Sequence, residues 1–321
     1  MLFPIPALLT PDSLPPMPAS ILIAGTGAMA CLFGARLARH AGVTLLGTWP
    51  EGIEALRRDG IRLETEAGES QHRIWVTSDP AEVAGARHAL VLVKSWQTRR
   101  AARQLAECLA PEGVALTLQN GLGNLDVLSQ ALGPERTALG VTTSGATLLG
   151  PGRVRAGGAG PVYFARHPRL GPIADLLRVA GLAVEEVPDV EGLLWGKLAV
   201  NAAINPLTAL LRVPNGDLLE RAHARELMAA AAQEVAQVAA ALGIRLPSGR
   251  ADEQAFEVAR RTAANRSSML QDVDRQAPTE IDAICGAVVD FGRRKGVPTP
   301  VNSVLWAMVR AMVEGWQGSP A

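Results

Sequence analysis

Lysine is almost missing from this chain. Of its 31 basic residues only Lys94, Lys197 and Lys295 are lysines, and the remainder are arginines. Cysteine is equally scarce. Cys31, Cys108 and Cys285 lie far apart and form no CxxC or Cys/His pattern, so neither a disulfide framework nor a zinc site is supported, which fits a reducing, cytoplasmic compartment. Net charge is also absent, since 31 basic residues balance 31 acidic ones. A general affinity for nucleic acid or anionic membrane needs a strong basic field, so the balance argues against both partner classes and leaves only a local basic patch open. No long apolar run exists either. The most apolar stretch, 228–242, is interrupted by Gln233, Glu234 and Gln237, whereas a membrane span takes about 20 apolar residues.

Residues 1–20 carry six prolines and no basic residue. A secretory signal needs a positive start and an unbroken apolar core, so this segment reads as a disordered tail, with Met17 a candidate start of translation. The rest has the substance for buried cores: 48% of residues are apolar and 19% charged. A length of 321 residues suggests two domains.

Ile21-Leu22-Ile23-Ala24 has the texture of a buried parallel strand. Gly25-Thr26-Gly27-Ala28-Met29-Ala30 follows at once. A helical pattern through Leu32, Phe33, Leu37 and Ala38 then leads to a second strand, 43–46. In this strand–turn–helix setting the first glycine permits the tight turn and the second lets backbone approach a pyrophosphate. The small Ala30 allows close packing of helix on strand, and the helix N-terminus favours the phosphates. An ordinary glycine turn is the plain alternative, but the context favours dinucleotide binding.

Strand–helix alternation continues. Strands at 89–93 and 114–118 lead into Lys94 and into Gln119-Asn120-Gly121, so Lys94 and Asn120 fall just past carboxyl strand ends, where open parallel sheets bind ligands. Asn-Gly is also a plain turn signal. A further strand is expected at 137–142, and the glycine-rich 150–160 reads as an extended connection or hairpin. After Pro188 the pattern becomes helical. The expected architecture is therefore α/β: a Rossmann doubly wound parallel sheet over 21–188 and an all-helical domain over 189–321.

The second part opens with Trp195-Gly196-Lys197-Leu198-Ala199-Val200-Asn201-Ala202-Ala203-Ile204-Asn205-Pro206. Lys197, Asn201 and Asn205 stand at i, i+4 and i+8, one face of a helix in an otherwise apolar setting. Buried polar groups need partners, so the stripe suggests a cleft for a polar ligand. A solvated stripe is the alternative, and Asn205-Pro206 equally fits the cap and first turn of a new helix. Lysine, unlike arginine, can pass on a proton when desolvated. Lys295 ends Arg293-Arg294-Lys295-Gly296 and reads as an ordinary cation at a helix C-terminus. A second polar cluster, Asn265 to Asp272, contains Ser267 and Ser268, which either bind ligand or cap backbone. Thr279 is a candidate N-cap for a following helix. Glu280 then either serves the helix dipole or holds a nearby lysine charged.

Taken together these segments resemble the ketopantoate reductase family: the turn 25–30, Val93 to Gln97, Gln119 to Gly123, Trp195 to Leu210, Pro214-Asn215-Gly216, Asn265 to Asp272 and Thr279 to Asp282. The resemblance spans about residues 21–310. It implies a Rossmann domain and a helical domain with the active site between them. The implied activity is NADPH-dependent reduction of 2-dehydropantoate, a small 2-oxo acid, to (R)-pantoate in pantothenate and coenzyme A biosynthesis. By matching position, Lys197 is the proton donor. Asn201, Asn205, Asn215 and Ser268 are substrate contacts together with Lys197. Lys94, Asn120, Ala146 and Glu280 lie at the cofactor with the glycine turn, and Glu280 joins Lys197 in the catalytic set.

One feature departs from the pattern. NADPH-preferring members often carry an arginine just after the second strand, but here the stretch reads Gly47-Thr48-Trp49-Pro50-Glu51, with no arginine until Arg57-Arg58. No acid stands at Thr48 for the ribose of NADH either, so NADH stays open beside NADPH. Two other readings stay open: a reductase of another 2-oxo acid, and a non-catalytic dinucleotide-binding redox sensor. The alanine-rich 226–242 packs either within its domain or against a second subunit, which leaves a homodimer open.

Overall fold

The structure, a computed structural model, describes residues 20–316. The proposed tail and Met17 lie outside the described residues, except that Ser20 is already the first residue of a strand. The main sheet contains β1 (Ser20–Ala24), β2 (Gly42–Leu46), β5 (Trp75–Thr77), β6 (Ala86–Val91), β7 (Leu109–Thr117), β8 (Thr137–Thr142), β11 (Val162–Ala165) and β12 (Val184–Val187), in the order β12-β11-β8-β7-β6-β1-β2-β5. The run from β8 to β5 is parallel throughout; β11 pairs antiparallel with β8.

Strand alternation explains the layering. In β1, Ile21 and Ile23 point to a core formed with α1 (Ala28–Leu37) and α5 (Gly171–Val179). Leu22 and Ala24 point to the opposite core, formed with α3 (Thr98–Cys108) and α4 (Asn124–Leu132). Both faces of the sheet are thus covered, which is why its central strands read as continuous apolar runs. The doubly wound sheet is the one expected from sequence.

A second sheet was not anticipated. β3 (Ile61–Thr65), β4 (Gly68–His72), β9 (Ala146–Gly150) and β10 (Arg153–Ala156) form it in the order β4-β3-β10-β9. The glycine-rich stretch supplies the β9–β10 hairpin, and β10 pairs parallel with β3.

From Val190 onward every regular element among the described residues is helical: α6 (Val190–Leu211), α7 (Ala222–Ala241), α8 (Ala251–Arg261), α9 (Ser268–Asp274), α10 (Ala287–Lys295) and α11 (Pro300–Val313). Asp189 caps α6 by accepting the Gly192 N–H at 2.8 Å. The 22-residue α6 is apolar on nearly every side, as a helix buried among others must be. Pro206 sits inside it, so Asn205 does not cap a new helix. The buried Glu234 of α7 has a structural explanation. Its carboxylate accepts the N–H groups of Val301 and Asn302 at 2.8 and 2.9 Å, capping α11. No helix among the described residues is long and apolar enough to cross a membrane.

Candidate active site

The glycine turn sits at the carboxyl end of β1. Gly25 has φ +131°, and a Cβ there would lie 3.2 Å from the backbone carbonyl of Leu92. That position tolerates glycine alone, because the turn must pass close over the end of β6. Thr26 is buried against Gly47. Gly27 is the N-cap of α1 with no side chain closing it, and a Cβ there would meet nothing within 4 Å. Ala28, Met29 and Ala30 form the first turn, whose N–H groups lack intrahelical acceptors. Ala30 is fully buried against the sheet. An open surface above free N–H groups suits a dinucleotide pyrophosphate. Gly25→Ala is expected to cost stability, about 1–3 kcal/mol for backbone held in so sparse a region. It should also weaken cofactor binding, read as a lower Tm and a smaller Tm rise on adding NADPH.

Two residues past Leu92 stands Lys94. Its Nζ lies 2.7 Å from Asp272 Oδ2 and 3.7 Å from Glu280 Oε2. Glu280 also accepts the Ser95 backbone N–H at 3.0 Å and the Asn120 Nδ2 at 3.4 Å. Lys94 and Asn120 come from the sheet, Asp272 and Glu280 from the helical part, so an ion cluster ties the two together. Burial works against the Lys94 charge, but Glu280 and Asp272 overcome it and hold its pKa above the ordinary lysine value. Burial pushes the Asp272 carboxyl above its ordinary range even though Lys94 pulls it down. Arg275 completes the cluster, 3.0 Å from Asp272 Oδ1. Nearby, the turn after Asn120 docks on the helical part. The Leu122 N–H donates to the Ala283 carbonyl at 2.9 Å, and a Cβ on Gly121 would lie 2.5 Å from that oxygen.

Lys197 projects from α6 to the end of β8, where its Nζ donates to the Thr142 carbonyl at 2.6 Å. Burial lowers its pKa to about 8, and Glu280 partly offsets the effect. A single lysine has thus been brought near neutrality by desolvation, within range of a carboxylate charge. Asn201 and Asn205 follow one and two turns along α6, about 6 Å apart per step. Asn201 is half-buried and Asn205 is buried. Ser268 opens α9, one turn before Asp272, while its neighbour Ser267 is the N-cap, accepting the Leu270 N–H at 3.0 Å. Thr208 of α6 donates to Ser267 Oγ at 2.7 Å and locks the two helices together.

Asn215, Ala146 and Thr279 have contacts of a different kind. Asn215 donates through Nδ2 to Thr262 Oγ1 at 2.9 Å, and its backbone N–H donates to the Asn265 carbonyl at 2.9 Å. These bonds tie two turns of the helical part, while Asn215 Oδ1 is buried without a partner. Ala146 opens β9 opposite Ala156 and packs on the sheet core. Thr279 caps no helix. The chain continues as a π-helical turn, Asp282–Gly286, and Thr279 Oγ1 is buried without a partner. Sequence reasoning missed Asp272 and the Thr142 carbonyl. Asp272 carried a signal, standing at i+4 from Ser268 on one short helix.

Family models for ketopantoate reductase PanE/ApbA match residues 21–169, and for its C-terminal part residues 189–313. The chain belongs to the ketopantoate reductase family. A 2-dehydropantoate 2-reductase of Archaeoglobus fulgidus is 36% identical over 300 residues, covering 92% of this chain and 98% of that protein. The crystal structure of a PanE/ApbA family ketopantoate reductase from Ralstonia eutropha JMP134 superposes with a TM-score of 0.87 at 34% identity, over 93% of this chain and all of the other. A D-mandelate dehydrogenase in ternary complex with NADH and anilino(oxo)acetate superposes at 0.88 with 25% identity, over 93% of this chain and 99% of that one. Membership makes the chain an NAD(P)H-dependent oxidoreductase with a Rossmann-type sheet.

Proposed function

We propose that the protein reduces 2-dehydropantoate to (R)-pantoate with NADPH, in pantothenate biosynthesis, in the cleft between a sheet part (21–188) and a helical part (189 onward). The observation that carries the reading is the buried ammonium of Lys197, with a pKa of about 8, at the carboxyl edge of the parallel sheet.

The glycine turn and the first turn of α1 would hold the cofactor's phosphates. The nicotinamide supplies a hydride to the substrate carbonyl carbon when bound. Lys197 then meets the charge developing on the carbonyl oxygen. Its Nζ–H stabilises that oxygen and transfers a proton to it, a positioned donor of the kind that contributes about 10²–10⁴-fold. Asn201, Asn205 and Ser268 hold the substrate carboxylate and hydroxyl with neutral donors, so no cation competes with Lys197. Glu280 moderates the pKa of Lys197, and Lys94 with Asn120 fixes Glu280 in turn. Asn215, held by Thr262 and Asn265, keeps a buried Oδ1 without a partner and is the remaining candidate substrate contact. The free, buried cysteines fit a cytoplasmic enzyme.

A reductase of another 2-oxo acid is the second reading, favoured by the likeness to D-mandelate dehydrogenase. Oxidation of NADPH followed at 340 nm decides between the readings. Turnover with 2-dehydropantoate well above that with benzoylformate or pyruvate is expected. The reverse ranking would reassign the substrate, and no turnover with any 2-oxo acid would leave the redox-sensor reading.

A further inference from the structure

The carboxyl ends of β6 and β7 lead into the two loops that hold Lys94 and Asn120. The ladder between these strands reaches Val91 and Thr117, and one backbone bond follows, from the Leu118 N–H to the Val91 carbonyl at 3.3 Å. The edge pair β2 and β5 ends in one such bond too, the Gly47 N–H to the Thr77 carbonyl at 3.1 Å, before α2 (Pro50–Asp59) begins. Between β6 and β7, side chains carry the pairing further. We propose that Thr98, acting with Gln119 and Asn124, is a positioning residue: its hydroxyl joins a buried network that fixes the gap between the two loops and so places Lys94 and Asn120 at the nicotinamide. The inference rests on the reductase reading of the site but on no particular 2-oxo acid.

Gln119 Nε2 donates across the gap to the Val93 carbonyl at 3.0 Å and to Thr98 Oγ1 at 2.8 Å, while its Oε1 accepts the Thr117 hydroxyl at 2.9 Å. The single proton of the Thr98 hydroxyl has two acceptors at 2.8 Å, the Ser95 carbonyl and Asn124 Oδ1. Asn124 Nδ2 donates to the Asn120 carbonyl at 3.0 Å. The network thus reaches the carbonyl on each side of Lys94 and that of Asn120 itself. Thr98, Thr117, Gln119 and Asn124 are all buried, where a lost partner is not replaced by water.

The same two loops are gripped from the other side by Glu280. One carboxylate oxygen accepts the Ser95 N–H at 3.0 Å and the other the Asn120 Nδ2 at 3.4 Å. A carboxylate is rigid, so it meets both donors only when the loops stand the right distance apart. Bonds within each loop would be enough to satisfy buried groups. Here the Gln119–Val93, Gln119–Thr98 and Thr98–Asn124 bonds all cross from one loop to the other, and that sets a spacing. The three side chains act through Lys94 and Asn120, not by contact with the reacting atoms.

Hydride transfer is read directly by mixing the full-length protein, preloaded with NADPH, with the 2-oxo acid that the wild type reduces fastest, and following a single turnover at 340 nm. Thr98→Val keeps the branched shape and removes the hydroxyl. It is expected to slow the single turnover about 10–100-fold, the effect of a small misplacement of reacting groups, while the Kd for NADPH, carried mostly by the glycine turn, changes little. Thr98→Ser keeps the hydroxyl and loses the methyl, so it should recover most of the rate; a packing role would give the opposite ranking. Asn124→Ala cuts the network at its far end and should slow the same step, which decides the matter if Thr98→Val does not fold. A Thr98→Val or Asn124→Ala protein that folds and transfers hydride at the wild-type rate, or a Thr98→Ser protein as slow as Thr98→Val, would overturn the proposal and leave the reductase reading intact. A wild type that reduces no 2-oxo acid would overturn both.

Discussion

Lys197→Ala is expected to lower kcat by about 10²–10⁴-fold, the loss of a positioned proton donor, while the Kd for NADPH stays close to that of the wild type. The glycine turn, which would carry most of the dinucleotide contacts, is built from other residues. The pH profile separates this role from a packing role. With a pKa of about 8, Lys197 is protonated at neutral pH and loses its proton as pH rises through that value. In the reducing direction kcat/KM should therefore hold on the acid side and fall above about 8. Lys197→Arg keeps a cation at every accessible pH, since guanidinium does not deprotonate. Its residual activity should be small, and its alkaline limb should disappear. An unchanged alkaline limb in the arginine variant would mean that another group titrates there.

Much of this was readable along the chain, because the signals were local and periodic. The turn Gly25 to Ala30 lies between a strand and a helix that each declare themselves by apolar spacing. The Lys197, Asn201 and Asn205 stripe follows from helical period alone, and α6 runs through all three. What stayed hidden depends on contacts between distant segments. Lys94 and Asp272 are 178 residues apart, and nothing in either neighbourhood specifies the other. The second sheet escaped because β4 is short and polar, Gly-Glu-Ser-Gln-His, and gains its partners only when β3 and the β9–β10 hairpin arrive. Thr279-Glu280 read as a helix start because Thr followed by an acid commonly caps one. The chain instead forms a π turn there, which accommodates the Ala283 carbonyl against Leu122. The carboxyl-end position of Lys94 was visible; its use as a bridge between the two parts was not.

Lys94→Met is expected to lower stability, and by an amount that depends on pH. Removing one partner of a buried ion cluster typically costs about 3–5 kcal/mol. The Lys94 side chain retains 33% of its exposure, so screening brings the expected loss to about 1–3 kcal/mol. The sign with pH follows from the carboxyls left behind. Burial already holds Asp272 above its unfolded pKa, and without Lys94 the rise grows. A group whose folded pKa is raised contributes most below its unfolded pKa and loses that contribution as pH climbs through the folded value. The variant should thus lie nearest to wild type in acid and fall away toward neutral and alkaline pH, as urea melts across that range would read. Replacing both partners, Lys94→Met with Asp272→Leu, should recover part of the loss, because an apolar pair leaves no orphaned charge on Asp272. Arg275 then loses its partner but keeps access to solvent.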